Sequence, residues 1–332
     1  MLRSRLRVLL VVVATLLAAC GSSSTSMATA DLGGGLRGPS GVAATTVATG
    51  LTNVAALAFD GDGRLWAATS SMSDDGTDAV YLVGDGGAPT KVIAGVHTPL
   101  GLLWLGDELF VAQGKEVDAY GGFDGTTFTS QRTVVTFGDG VGELNELVQL
   151  PDGRLALGIS APCNACTVTD EHAAAVVTFQ PDGSDLQVMA GGIRAPVGLT
   201  VFDGQLLVTM NQRDDLGDDT PGDWLAVVTD GQSWGFPDVT ASPAPLAVLD
   251  AHAAVSGVAV LADGIGSLDG PVAVVAEWNT GKVLAVALDG DSTPRLLLSG
   301  MEHPMPVVAG ADGSLYVGDW ASGTVVRLTP AS

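Results

Sequence analysis

Apolar positions in this chain come in short runs broken by Gly and Asp, and the runs pair off. Six segments share one grammar: an approach containing Gly or Pro, an apolar strand, a Gly/Asp turn, and a second apolar strand. They cover residues 51–69, 96–113, 143–160, 193–210, 254–278 and 301–320, with turns centred on Gly63, Asp107, Gly153, Gly204, Asp269 and Gly313. Paired apolar runs joined by such turns read as hairpins. The turn-to-turn intervals of 44, 46, 51, 65 and 44 residues each fit one four-stranded blade. Helical periodicity is absent. The pattern predicts an all-β, six-bladed β-propeller of four-stranded antiparallel blades over residues 41–330, with 41–48 pairing onto 324–328 to close the ring. A parallel β-helix would have shorter rungs, which leaves a propeller of another blade count as the alternative.

The first twenty residues follow a different pattern. Arg3, Arg5 and Arg7 precede an apolar run over 8–19, too short to span a bilayer and shaped like a signal-peptide core. The run ends Leu17-Ala18-Ala19-Cys20, which resembles a bacterial lipobox, in which the cysteine becomes the lipidated first residue. Residues 1–20 are therefore expected to be a lipoprotein signal peptide. The stretch 21–40, opening Gly/Ser/Thr-rich, reads as a flexible tether. An exported protein held to the outer face of a cell membrane by lipid alone is the expectation, with a transmembrane anchor as the plainer alternative.

Composition narrows the partners. The formal net charge of -23 excludes a nucleic-acid binder, whose target phosphates this surface would repel. It reads as a solvated surface on a monomer. Besides Cys20 the only cysteines are Cys163 and Cys166. Three residues apart in a loop of an exported protein, they read as a local disulfide. A zinc site would need two further ligands, and the preceding strand disfavours a thioredoxin-like role. No Gly-rich phosphate loop and no Gly-x-Ser-x-Gly elbow is present.

The run 191–239 carries the most chemistry. It starts as a repeat unit, then breaks into Arg213-Asp214-Asp215-Leu216-Gly217-Asp218-Asp219, a carboxylate cluster that belongs in a surface loop or an ion site rather than inside a strand. The order Gly-x-Arg-x-Pro-x-Gly-Leu from Gly192, then Asn-x-Arg-Asp-x-Leu-Gly-Asp-Asp from Asn211, then Trp234-Gly235-Phe236-Pro237 resembles the fourth blade of the glucose/sorbosone dehydrogenases. Weaker matches are Pro151-Asp152-Gly153-Arg154-Leu155, Ser160-Ala161-Pro162-Cys163-Asn164-Ala165-Cys166, Ala251-His252-Ala253 and Ala311-Asp312-Gly313-Ser314-Leu315-Tyr316. The resemblance implies a six-bladed propeller that oxidises an aldose with pyrroloquinoline quinone and calcium.

It also assigns candidate positions. The family's general-base histidine maps to Gly142 and Glu143, so Glu143 is the candidate base, although a solvated carboxylate is a weak one. Arg194 stands where the family holds quinone carboxylates, but Ala195 replaces the partner asparagine and His303 stands near the place of a further arginine. The resemblance puts a calcium ion on the backbone carbonyls of Gln212 and Arg213, and Asp214, Asp215, Asp218 and Asp219 are candidates for a second. His252 heads an inner strand and is a candidate ligand contact, or else satisfies a neighbouring carbonyl. Trp224 and Ala226 replace a polar pair of the family. A lone arginine is a thin anchor for a cofactor with three carboxyl groups. The two functional expectations are therefore a quinone-dependent sugar dehydrogenase and a non-catalytic propeller that binds a sugar or surface ligand.

Overall fold

The computed structural model describes residues 29–73, 76–84, 88–240 and 242–331; Cys20 and the leader lie outside these. The described chain is a six-bladed propeller, and its only helical turn is a single 3-10 turn at Gly217–Asp219. Blade one is Val54–Phe59, Leu65–Thr69, Ala79–Val83 and Thr90–Ala94; blade two is Gly101–Leu105, Glu108–Gln113, Glu116–Phe123 and Phe128–Thr136. Blade three is Leu144–Gln149, Leu155–Ile159, Ala175–Phe179 and Gln187–Gly191; blade four is Pro196–Phe202, Gln205–Met210, Trp224–Val228 and Ala247–Val248. Blade five is Val255–Leu261, Val272–Glu277, Lys282–Ala287 and Arg295–Ser299. Blade six takes Pro304–Ala309, Leu315–Asp319 and Thr324–Pro330, and its outermost strand is Val42–Ala48 from the other end of the chain. The expected ring closure is thus the one observed.

Strands buried on both faces read as continuous apolar runs, and here that burial is sandwiched between blades. Six apolar clusters sit one at each blade-to-blade interface. Leu155, Leu157 and Ile159, for example, are fully buried between blades two and three, each contributing on the order of 1.5–3 kcal/mol.

Near the axis the strands nearly touch. A Cβ added to Gly198 would lie 2.5 Å from the Ser256 carbonyl oxygen, and one added to Gly257 would lie 2.7 Å from that of Met305. Glycine is needed at both because the backbone of one inner strand rests on the next.

Two segments depart from the plain repeat. In the long fourth interval, blade four keeps a fourth strand of only two residues, while Gln232–Ser233 joins the outer edge of blade three in parallel. The span expected to be a tether up to residue 40 needs correction. Thr29–Gly33 and Leu36–Pro39 form a hairpin, which pairs through Arg37 with Ser299 on the outer edge of blade five. The physical reason is that Leu32 and Leu36 pack on the core between blades five and six, and Gly34 and Gly35 supply the positive φ of the turn. No helix among the described residues is long and apolar enough to cross a membrane.

Candidate functional site

Superposing the repeats by sequence aligns six inner-strand openings: Asn53-Val-Ala-Ala, Thr98-Pro-Leu-Gly, Glu143-Leu-Asn-Glu, Ala195-Pro-Val-Gly, Ala254-Val-Ser-Gly and His303-Pro-Met-Pro. Two rings of residues follow from this register. The third positions Leu100, Asn145, Val197, Ser256 and Met305 all line one cavity of about 640 Å³ at the mouth of the channel. The second ring is the residue after each second strand. Ser160, Asn211, Trp278 and Trp320 donate backbone N–H bonds of 2.9, 3.1, 3.2 and 2.9 Å to the carbonyls of Glu143, Ala195, Ala254 and His303, and all four line the same cavity.

Blades five and six give the mouth an aromatic wall. Trp278 and Trp320 meet edge to face at 5.8 Å, and the His303 ring stacks on Trp278 at 3.8 Å with the planes 8° apart. His303 does not line the cavity. Its Nδ1 lies 2.9 Å from the Trp278 carbonyl oxygen and its backbone N–H donates to Asp319, so it fixes the indole from behind. Trp320 Nε1 donates to the Ser70 carbonyl at 2.9 Å. Ala55, Leu100 and Met305 cluster beneath these rings.

Blades three and four give the polar wall. Glu143 is exposed and lines the cavity. The segment before it is pinned by Lys115, whose Nζ donates to the carbonyls of Val141 and Gly142 at 2.7 Å each. A Cβ on Gly142 would collide with the carbonyls of Ser160 and Ala161, which is why glycine stands there. Asn145 Nδ2 donates to Ser160 Oγ at 2.9 Å. Arg194 is half-buried; its Nε donates to the Asn164 carbonyl at 3.2 Å and its Nη1 to that of Asn211 at 3.1 Å. Burial pulls its pKa below the ordinary arginine value, partly offset by Asp214, Asp223, Glu143 and Asp215. An ion pair of Arg194 with Glu143 or Glu277 is not formed; the guanidinium serves carbonyl oxygens instead. Cys163 and Cys166 are disulfide-linked with Cα atoms 5.9 Å apart, and Cys163 and Asn164 of that loop complete the wall.

The acidic loop lies outside the cavity, and its carboxylates diverge. Asp215 takes a two-pronged ion pair from Arg213 at 2.7 and 2.6 Å, and Arg213 also reaches the Pro237 carbonyl. Asp214 meets His252 Nδ1 at 3.1 Å, while His252 Nε2 lies 3.2 Å from the Gly217 carbonyl oxygen. Asp214, then Gly217, raises the His252 pKa, and the histidine acts as a clip from blade five onto the loop. Asp218 and Asp219 sit exposed in the 3-10 turn. Gln212 is buried, its backbone N–H donating to Asp223 Oδ1 at 2.8 Å and its Oε1 accepting from the Arg213 N–H at 3.0 Å. Calcium takes six to eight oxygens, and no group of three His, Cys, Asp or Glu side chains among the described residues could hold a metal ion. The four aspartates expected as a second calcium site are not brought together.

Four further residues at or beside the site carry no obvious motif. Trp278 and Trp320 are readable only as the residue after a second strand, once the repeats are aligned. Asp223 is fully buried, accepts N–H bonds from Gln212 and Val255, each at 2.8 Å, and ties the acidic loop to blade five's inner strand. Desolvation pushes its pKa up to about 6. Glu277, equally buried, is pushed by desolvation to about 7.

A scan against protein-family models finds no match, and a search of curated proteins finds none. Among solved structures, the PQQ domain of pyranose dehydrogenase from Coprinopsis cinerea, in its holo form, is similar with a TM-score of 0.72 at 17% identity, over 89% of this chain and 97% of that one. The soluble aldose sugar dehydrogenase of Escherichia coli, in its apo form, gives 0.70 at 18% identity over 87% and 100%. The PQQ-bound aldose sugar dehydrogenase of Streptomyces coelicolor gives 0.68 at 18% identity over 88% and 99%. The chain has the six-bladed propeller fold of these soluble sugar dehydrogenases.

Proposed function

We propose that the protein is a sugar-binding propeller whose channel mouth holds a carbohydrate. One observation carries this reading: two tryptophans on one side of the mouth cavity face a ring of Asn145, Ser160, Arg194 and Asn211 on the other. A pyranose has an apolar C–H face and a rim of hydroxyls. Indole rings bury the face, and amide, hydroxyl and guanidinium groups meet the rim. The fold likeness to sugar dehydrogenases supports the same ligand class.

The second reading is sugar oxidation with pyrroloquinoline quinone and calcium, favoured by the fold and by Arg194. The residues present do not fit that cofactor. Three carboxylates call for several fixed cations, whereas Arg194 is the one cation lining the mouth, two of its N–H groups already serve carbonyls, and the Glu143 carboxylate shares the wall. Calorimetric titration with neutral aldoses tests the first reading; saturable binding is expected, and its absence would overturn it. Titration with quinone and calcium, followed by absorbance, is expected to give no saturable change. Rapid dye reduction by an aldose in their presence would establish the enzyme instead.

We further infer that the chain is exported and lipid-anchored through Cys20. Cys20→Ala should release the protein from the membrane fraction, and unchanged fractionation would refute the anchor.

A further inference from the structure

The aligned inner strands carry one anomaly below the mouth. Their fourth positions are Ala56, Gly101, Gly198, Gly257 and Pro306 in five blades and Glu146 in blade three. At this level Gly101, Gly198 and Gly257 rest against carbonyls of the next blade. In blade three the ladder slips between Leu144 and Leu147, with Asn145 and Glu146 in the irregular step, as it does at the same step in blades one, four, five and six, so it is the residue type, not the backbone, that sets blade three apart. Glu146 lines a cavity of about 350 Å³ between the six inner strands, on the side of the channel away from the mouth. The walls there are built from residues such as Leu57, Leu102, Leu199, Val258 and Val307, and Glu146 is the only ionisable residue among those lining it. Among the described residues, no hydrogen bond or ion pair reaches its carboxyl group.

Glu146 is half-buried and faces the open channel, and five blades close the ring with Gly, Ala or Pro at this level, so the fold does not require a carboxylate there. We propose that this part of the channel is a second binding site, for a small alkylammonium ion whose charge is met by the Glu146 carboxylate and whose hydrocarbon lies along the apolar wall. A hard metal ion would need several oxygen ligands that the apolar wall does not offer. An anionic ligand would be repelled by a chain of net charge -23. Desolvation raises the Glu146 pKa well above the usual carboxylate range, and no other titratable group faces it from the surrounding strands. A bound ammonium favours the ionised carboxylate and draws that pKa back down.

The test is calorimetric titration of the purified protein with n-hexylammonium chloride in two buffers of different ionisation enthalpy. The expected result is one saturable site, with any proton release read from the difference between the two buffers. Glu146→Gln should weaken it about ten- to a hundredfold. Glu146→Gly, which installs the residue found in three other blades, should do the same and serves if the glutamine variant does not fold. Absence of binding to the unaltered protein would overturn the proposal. So would undiminished binding in both variants, or binding lost in Glu143→Gln but kept in Glu146→Gln, which would place the cation at the mouth.

Discussion

The two halves of the mouth are held by different physics. In blades five and six the functional side chains come straight off strand ends. Trp278 and Trp320 are set by the repeat's own hydrogen bonds and by ring packing against His303. In blades three and four the wall is made of loops, held by a disulfide, the Lys115 ammonium, a guanidinium serving two carbonyls, and the buried Asp223. Apolar packing is indifferent to pH and redox state, whereas buried charge and a sulfur bridge are not. The aromatic half should therefore be the constant part of the site and the loop half the adjustable one.

The comparison is broken most forcefully at Trp278. Trp278→Ala removes a half-buried indole and strips His303 of its stacking partner, so a stability loss of about 3 kcal/mol is expected, together with loss of aldose binding. Denaturant unfolding and calorimetry would measure both. An unchanged aldose affinity would remove the aromatic wall from the site.

Acidity addresses the other half. The folded-state pKa of Asp223 is raised to about 6 by desolvation, above its unfolded value. Its contribution is fully present below the unfolded pKa and is lost as pH rises through about 6. Glu277, raised to about 7, acts in the same direction but from blade five, beside Trp278, so the aromatic half carries one acid-sensitive group of its own. Melting temperature should rise as pH falls from 8 to 5, with Asp223 alone accounting for about 1 kcal/mol. Below that window the trend reverses, because carboxylates held low by hydrogen bonds, such as Asp60 and Asp152, become protonated. A flat profile between pH 5 and 8 would mean that the buried carboxylates are paired more closely than described.

Reduction of Cys163–Cys166 should have the smallest effect. Closing so short a loop restricts the unfolded chain little, and about 1–2 kcal/mol is expected from chain entropy. The aldose affinity of the Cys163→Ser/Cys166→Ser double variant should fall because the loop bearing Asn164 and supporting Arg194 loosens. If it is Trp278→Ala that leaves affinity intact and the serine variant that abolishes it, the roles of the two halves are reversed.

What could be read from the sequence follows the same division. The spacing of Gly/Asp turns places every inner strand and even the pairing of the first strand with the last. It could also have yielded Trp278, Trp320 and Glu146, since each occupies a fixed place in an aligned repeat. The loops were not legible in this way. Nothing in the run from Arg213 to Asp219 says that Arg213 claims Asp215 or that His252 claims Asp214. Those choices depend on which strands stand alongside the loop, and therefore on contacts 24 to 38 residues away. Glu143 and Arg194, singled out by the family resemblance, do reach the mouth, whereas His252 and His303 brace it from outside.

Closure by the strand Val42–Ala48 against Thr324–Pro330 bears on how the molecule comes into being. The first blade-forming strand to emerge during synthesis has no partner until almost the last residues have followed it. Its backbone donors and acceptors stay open throughout, and the ring completes only when ends separated by nearly the whole domain meet, a non-local step of the kind that slows folding. Blade six therefore cannot be complete before Thr324–Pro330 has been made. A truncation of even a few residues within 324–330 would leave Val42–Ala48 an unpaired edge, available to a neighbouring chain.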